Sequence, residues 1–289
     1  MSTRRELLTD ALAQLRAAGV ASPGVDAEHL LAFVLGIERS GLLRVGEVSA
    51  ADALRFGALV ARRAAREPLQ HITGVASFRY VDLLVGPGVF VPRPETELLA
   101  GWAIDEVTAL GSTVRTPIVV DLCTGSGAIA KAIKHEVPHA DVRAVELSLD
   151  AHVWADRNLK DTGVELRLGD AFTAFDDLIG TVDVVVCNPP YIPLEAWESV
   201  APEARDHDPQ MALFSGDDGL DAMRRLADRA AVLLKPGGVV GAEHADEQGP
   251  EGANGGAPGV FAATGLWTEV RDHHDLAGRP RFVTARLAR

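Results

Sequence analysis

The stretch Ile118-Val119-Val120-Asp121-Leu122-Cys123-Thr124-Gly125-Ser126-Gly127 is a short apolar run that ends in an acid and a glycine-bearing turn. Its apolar residues do not alternate with polar ones, as expected of a strand covered on both faces, and that burial is typical of parallel sheets layered with helices. A helix is expected next, from about Ala128 to Glu136, and another before the strand, at about 95–109. Downstream the alternation repeats. A strand at 141–146 leads to a helix around 150–160, and a strand at 164–168 ends in Gly169-Asp170. The buried run Val182–Val186 ends in Cys187-Asn188-Pro189-Pro190-Tyr191. A helix near 218–234, a strand at 239–243 and closing strands near 266–272 and 281–287 complete the pattern. Strand–helix alternation of this kind predicts an α/β fold built on a doubly wound parallel sheet. The glycine-rich segment 248–260 is expected to be a flexible loop or turn.

The first quarter of the chain is different. Thr3-Arg4-Arg5-Glu6 has the form of a capping box, followed by Leu8, Leu12 and Leu15 at helical spacing and Gly19 as a stop. A second helix is expected from near Asp26 to Gly36, and a third from near Ser49 to Arg66, stopped by Pro68. Residues 71–92 are rich in β-formers and punctuated by glycine and proline, which predicts a hairpin bridging two domains. The expected organisation is therefore a helical domain over 1–70, a β-hairpin linker over 71–94 and the sheet domain over 95–289. A length of 289 residues is consistent with two domains.

Composition narrows the function classes. The 47% hydrophobic content excludes wholesale disorder, and no apolar run has the length of a membrane-spanning helix. The N-terminus lacks the apolar core of a signal peptide, and two cysteines fit a reducing cytoplasm better than a disulfide framework. The net charge of −13 divides unevenly: residues 1–75 carry nine Arg against eight acids, or +1, and the remainder 19 bases against 33 acids, or −14. That balance argues against a general nucleic-acid binder.

In doubly wound sheets ligands bind beyond the carboxyl ends of the strands, so those ends are read in turn. Gly125 and Gly127 allow close approach of a ligand to a turn that opens a helix, whose first N–H groups are unpaired. The third glycine position of a dinucleotide fingerprint is Ile129 or Ala130 here, so the NAD pattern fails. The loop resembles the Asp-x-Gly-x-Gly-x-Gly loop of class I (Rossmann-like) S-adenosylmethionine methyltransferases, with Cys123 in place of the first glycine. Glu146, 25 positions after Asp121, can accept hydrogen bonds from two ribose hydroxyls; the alternative is a surface helix-capping role. Asp170 can accept an adenine amino group, with the N–H of Ala171 offered to a ring nitrogen; the alternative is an N-cap.

Asn188-Pro189-Pro190-Tyr191 is the sharpest feature. Two prolines directly after a buried strand remove donors and fix the backbone direction. The Asn188 side-chain oxygen and the Pro189 carbonyl can then both accept from one planar NH₂ group. Such a nitrogen is a poor nucleophile because its lone pair is delocalised. Two acceptors orient it and stabilise the positive charge that develops as it attacks a sulfonium methyl. Tyr191 can stack on the planar group.

The whole chain resembles the HemK/PrmC family of protein-glutamine methyltransferases that modify peptide chain release factors. The resemblance is carried by Glu67–Gly74, Phe90–Glu97 with its Pro-Arg-Pro-Glu-Thr-Glu string, Cys123–Gly127 and Asn188–Tyr191. It continues through His207-Asp208-Pro209, Ala212-Leu213-Phe214, Gly219-Leu220-Asp221, Glu243-His244 and Gly278–Phe282. It implies methyl transfer from S-adenosylmethionine to the glutamine amide of a Gly-Gly-Gln loop, with the helical domain docking the release factor. By position, Asn188, Pro189, Pro190 and Tyr191 would hold the glutamine, and Cys123, Thr124, Gly125, Ser126, Gly127, Glu146, Asp170, Ala171 and Asn188 the cofactor. Arg93 and Glu97 would line or brace the site. Departures are Glu146 where relatives often carry Asp, the His207-Asp208-Pro209 string, and a loop over 248–260 expected to be longer and floppier than usual.

Two other classes are weighed: an N-methyltransferase of nucleic-acid bases using the same turn, and a non-enzymatic protein with a degenerate site. The acidic catalytic half argues against the first and the intact turn against the second. Cys123 and Cys187 are expected to pack rather than react. His273 and His274, on opposite faces of a strand, predict no metal. A monomer is the default expectation.

Overall fold

The computed structural model describes residues 2–111 and 116–288. They divide into two compact units: residues up to Val75 together with Ala201–His207, and Ala76–Val200 together with the chain from Asp208 onward.

The first unit is helical. Helix α1 (Arg4–Ala17) starts on a complete capping box, in which Glu6 N–H donates to Thr3 Oγ1 at 3.2 Å and Thr3 N–H donates to Glu6 Oε2 at 2.9 Å. Helix α2 (Pro23–Leu35) begins on a proline and ends at Gly36, whose φ of 64° is the left-handed turn that glycine adopts without strain. Two-residue strands β1 (Ser2–Thr3) and β2 (Glu47–Val48) pair antiparallel before α3 (Ala50–Ala64), which Ser49 caps. α3 stops two residues short of the expected Arg66, because Arg66 itself takes a left-handed φ of 68°. A single turn, α4 (Leu69–Thr73), follows where the sequence suggested hairpin. Leu15, Leu30, Leu31, Phe56, Val60 and Ile72 form the core.

The returning segment 201–207 is tied into this unit by charge. Arg63, almost fully buried, donates to Asp26 at 2.7 Å and to Glu203 at 2.9 Å, and Arg66 forks Glu203 at 2.8 and 2.5 Å. Burial works against the Glu203 charge, yet the two guanidiniums hold its carboxyl down to about 2.

The second unit opens with a hairpin of β3 (Val75–Phe78) and β4 (Val81–Leu84), shorter than the expected 71–92. Then come α5 (Thr96–Leu110), β5 (Ile118–Leu122), α6 (Ala128–Glu136), β6 (Asp141–Glu146), α7 (Leu149–Leu159), β7 (Glu165–Leu168) and β8 (Val182–Cys187). Helix α8 (Pro202–His207) lies in the excursion to the helical unit, and α9 (Asp221–Leu233), β9 (Leu234–Glu243), α10 (Gly256–Ala263), β10 (Trp267–His274) and β11 (Pro280–Leu287) close the chain.

Seven strands form one sheet in the order β10-β11-β9-β8-β5-β6-β7. It is parallel from β7 to β9, but β11 inserts antiparallel between β9 and β10, so the sheet is mixed rather than wholly parallel. Alternate residues feed two cores. Val119, Val184 and Val186 meet Leu99, Ala103 and Ile133 on one face; Val120, Leu122 and Val185 meet Met223, Leu226 and Phe261 on the other. The chain reverses its winding between β5 and β8, which pair with Leu122 opposite Cys187. The glycine turn and the Asn188 turn therefore leave the sheet side by side, at the switch point where such folds bind ligands.

The segment 248–260 is a correction. Its second half is the start of α10, not a flexible loop: Ala257 and Phe261, four residues apart, are fully buried, and Phe261 meets Trp267 edge-on at 5.3 Å. Glycine is required at 256, where φ is 58° and a Cβ would collide with the Gln248 and Gly249 carbonyls.

Candidate active site

At the end of β5, Asp121 is fully buried and pins the glycine turn to the first turn of α6. Its Oδ2 accepts from Thr124 Oγ1 at 2.6 Å and from Ala130 N–H at 3.1 Å. Burial pushes its carboxyl up to about 7 and the nearby Glu146 adds to the shift, whereas the two hydrogen bonds oppose it. Its Oδ1 has no partner among the described residues. Cys123, Gly125 and Gly127 all take positive φ, of 61°, 58° and 84°. A Cβ on Gly127 would press on Leu159 at 3.0 Å, but the space above Gly125 is open among the described residues. The Ser126 carbonyl is fixed by Asn158, which also exchanges two hydrogen bonds with Leu84 of the hairpin.

Glu146 reaches back to this loop. Gly125 N–H donates to its Oε2 at 2.8 Å and Ser148 N–H to its Oε1 at 2.8 Å. Burial raises its carboxyl against these bonds, so it is not the surface cap of the alternative reading. Asp170 sits at the third strand end. Phe172 N–H and Arg225 each donate to one of its oxygens at 2.9 Å, which holds the carboxyl low although partial burial opposes this. It caps its own turn, and Ala171 is buried beside it.

The Asn188–Tyr191 turn is braced from several directions. Asn188 Nδ2 donates to Thr96 Oγ1, at the start of α5, at 3.3 Å. Tyr191 Oη donates to Glu243 Oε1, at the end of β9, at 3.2 Å. The Tyr191 carbonyl accepts from Gln248 Nε2 at 3.0 Å, and the same Nε2 reaches the Asp218 carbonyl at 3.2 Å. Gly219 must be glycine, because a Cβ there would collide with the Tyr191 carbonyl oxygen. Beyond the turn, Ile192 exchanges backbone bonds with Leu213 and Ser215 at 2.8 and 3.0 Å. Burial pushes the Tyr191 phenol up, and the Glu243 charge adds to this. Glu243 is itself fully buried, and burial lifts it to about 7 against hydrogen bonding from Thr96 and Tyr191 and the charge of Arg281.

The Pro-Arg-Pro-Glu-Thr-Glu segment meets the turn through Thr96. Arg93 donates to Asp208 at 2.7 Å and lies 4.8 Å over the Phe90 ring. Asp208, its side chain inaccessible, is pushed by burial up to about 6 despite Arg93. Glu97 accepts from Arg79 N–H at 3.1 Å and so braces the hairpin, whose Arg79 also forks Glu136 at 2.6 and 2.8 Å.

With this geometry established, comparison with known proteins is decisive. A family model described as PrmC N-terminal domain matches residues 6–74, and one described as methyltransferase small domain matches residues 106–202. The release factor glutamine methyltransferase of Streptomyces coelicolor is 58% identical over 97% of this chain and 97% of its own length. The chain belongs to the release factor glutamine methyltransferase family. A second member, from Mycolicibacterium smegmatis, is 45% identical over the full length of both chains. Among solved structures, the catalytic domain of hMettl16 covers 84% of each chain at 15% identity with a TM-score of 0.53, a likeness of fold alone.

The family and fold imply S-adenosylmethionine, and the loop fits it. The open face over Gly125, the orphaned Asp121 Oδ1 beneath the loop and the spare lone pairs of Glu146 suit a group carrying an ammonium, a sulfonium and a ribose. Cys123 directly follows β5 and Cys187 ends the neighbouring β8; the two lie against each other, and burial pushes the Cys187 thiol well up, away from nucleophilic use. His273 stacks on Phe282 at 4.5 Å and bonds Thr284, a packing role.

Sequence reasoning gave no role to Thr96, Asp208, Glu243 or Gln248. Glu243 carried a signal that went unused: like Glu146, it is an acid at the carboxyl end of a strand. Gln248 carried none, lying in a segment read as loop.

Proposed function

We propose that this chain transfers a methyl group from S-adenosylmethionine to the side-chain amide nitrogen of the glutamine in the Gly-Gly-Gln motif of peptide chain release factors. The reading rests on one observation above all: the Asn188–Tyr191 turn stands beside the glycine loop at the switch point of the sheet.

When bound, S-adenosylmethionine supplies an electrophilic sulfonium methyl. Cys123, Thr124, Gly125, Ser126 and Gly127 would cradle it, with Glu146 on its ribose, Asp170 and Ala171 at its adenine, and Asn188 near its methyl. Asn188 Oδ1 and the Pro189 carbonyl accept from the two N–H bonds of the glutamine amide, and Tyr191 packs against its plane. The methyl would pass from sulfur to nitrogen, the new C–N bond forming as the C–S bond breaks and its electron pair passing to sulfur. The nitrogen then loses a proton to solvent. The two acceptors stabilise the positive charge that develops on nitrogen, which favours the transition state over the ground state.

The helical unit, near neutral in charge and rich in arginine, is assigned the docking of the release factor; the hairpin and the sheet unit hold the chemistry. The acceptor is a protein rather than a nucleic acid, because the −14 of the rest of the chain repels phosphate. Function as a monomer in the cytoplasm completes the proposal. No helix among the described residues is long and apolar enough to cross a membrane.

A transfer assay tests this. With methyl-labelled S-adenosylmethionine, label should pass to a release factor and not to duplex DNA offered at equal concentration. Preferential labelling of the DNA would replace this proposal with the base-methylating alternative.

A further inference from the structure

The Asn188 amide can be seated in two ways related by a flip, and only one of them points an acceptor at the substrate. Nδ2 faces Thr96 Oγ1, and Oδ1 takes no hydrogen bond from the described residues. A threonine hydroxyl has one proton. If that proton were given to Asn188, the amide would turn Oδ1 inward to Thr96 and present its NH₂ to the glutamine NH₂, a donor to a donor. Thr96 must therefore spend its proton elsewhere.

The structure provides that destination. Glu243 lies beside the Thr96 hydroxyl, which lowers its carboxyl. Glu243 Oε1 already accepts from Tyr191 Oη, and the fully buried Oε2 has no hydrogen-bond partner by geometry among the described residues. An ionised carboxylate can only accept. It thus draws the protons of Thr96 and Tyr191 towards itself and leaves Thr96 Oγ1 as an acceptor, which selects the Nδ2-inward seating of Asn188.

We propose that Thr96 and Glu243 are positioning residues for methyl transfer: together they set the direction of a hydrogen-bond relay that aims Asn188 Oδ1 at the amide to be methylated. The inference rests on the function proposed above and adds to it two residues that act through Asn188 and Tyr191.

The relay is directional only while Glu243 is ionised. Once protonated, the carboxyl can donate to Thr96, whose own proton is then free to turn to Asn188. The groups facing Glu243 are Tyr191 from the turn, Thr96 and Glu95 from the start of α5, and Arg281 from β11; His244 follows it in the chain and bonds Asp272 of β10. Tyr191 stays neutral and Arg281 stays charged across the neutral range, because the shifts move the phenol up and the guanidinium up. His244 is pushed down by burial, so it remains uncharged there. Glu243 itself, near about 7, is the group that changes.

The test compares wild type, Thr96→Val, Thr96→Ser and Glu243→Gln in the intact chain with a release factor as substrate, measuring kcat, KM, the Kd for S-adenosylmethionine and the pH profile of kcat. Valine keeps the shape of threonine without its hydroxyl. Thr96→Val should lower kcat roughly 2- to 10-fold, the scale of one lost orienting hydrogen bond, with cofactor Kd unchanged, and Thr96→Ser should restore most of it. Wild-type kcat should fall as pH drops through about 7, and Glu243→Gln should lose that limb. A Thr96→Val enzyme with wild-type kcat overturns the inference, as does a Thr96→Ser enzyme no better than valine. If the valine variant does not fold, an acid limb that persists unchanged in Glu243→Gln overturns it instead. A wild-type enzyme that labels no glutamine would fail the proposed function, a result separate from any of these.

Discussion

Glu146 and Glu243 are both buried acids at the carboxyl ends of parallel strands, yet they are wired differently. Glu146 is held by backbone N–H groups of the loops around it, those of Gly125 and Ser148. Glu243 accepts from a side chain, that of Tyr191, and stands beside the Thr96 hydroxyl, both from segments far away in the chain. The contrast extends to the two halves of the site. The half proposed to hold the cofactor is a backbone cradle at strand ends, shaped by glycines and main-chain N–H groups. The half proposed to hold the acceptor is a lattice of side chains in which Thr96, Asn188, Tyr191, Glu243 and Gln248 meet, with Gly219 leaving room for the Tyr191 carbonyl. Mutations in the first half should act on cofactor affinity, and mutations in the second on turnover.

The largest effect expected is that of Asn188→Ala. Loss of one charge-stabilising acceptor should cost roughly 10²–10³ in kcat, with a much smaller change in cofactor Kd from calorimetry. A matching loss of cofactor affinity would show that the halves are not separable. Next is Glu146→Ala, which removes a charged acceptor worth about 1.5–3 kcal/mol and should weaken S-adenosylmethionine binding about 10- to 100-fold while leaving single-turnover chemistry at saturation nearly intact.

Glu243→Gln sharpens the comparison through stability. Burial raises the folded carboxyl from 4.5 to about 7, so its favourable contribution is present below about 4.5 and is lost as pH rises through about 7. Denaturant titrations should find Glu243→Gln no more stable than wild type at pH 4, but more stable by about 1–3 kcal/mol at pH 8; an equal difference at both pH values would contradict the shift. The smallest effect is that of Gln248→Ala. Losing its bonds to the Tyr191 and Asp218 carbonyls should lower stability by ~1–2 kcal/mol and reduce kcat with little change in cofactor Kd.

The same contrast explains what could be read from the sequence. Ile118–Gly127, Glu146 and Asp170 are local patterns: an apolar strand, a turn and an acid, each legible within about ten residues. Asn188–Tyr191 was legible because two prolines after a buried strand are rarely accidental. What brings Thr96 and Glu243 to it is the placement of β9 and α5 around β8, across 92 residues of separation for the Asn188–Thr96 bond, and one-dimensional spacing does not carry that. Helix α10 was hidden for another reason. Glycine and alanine have weak signatures, and the buried pair Ala257 and Phe261 declares itself only once Trp267 is packed against it. The excursion of residues 201–207 into the helical unit depends on Glu203 finding Arg63 and Arg66, more than 130 residues away; nothing in the local sequence marks it.

The central claim is that the Asn188 turn presents acceptors to a glutamine amide. It is tested most directly by peptide mass spectrometry of a release factor incubated with the enzyme and S-adenosylmethionine, beside a release factor whose Gly-Gly-Gln glutamine is alanine. The account predicts one added methyl, on the side-chain nitrogen of that glutamine, and none on the alanine variant. A methyl on any other residue, or equal modification of the alanine variant, would contradict it.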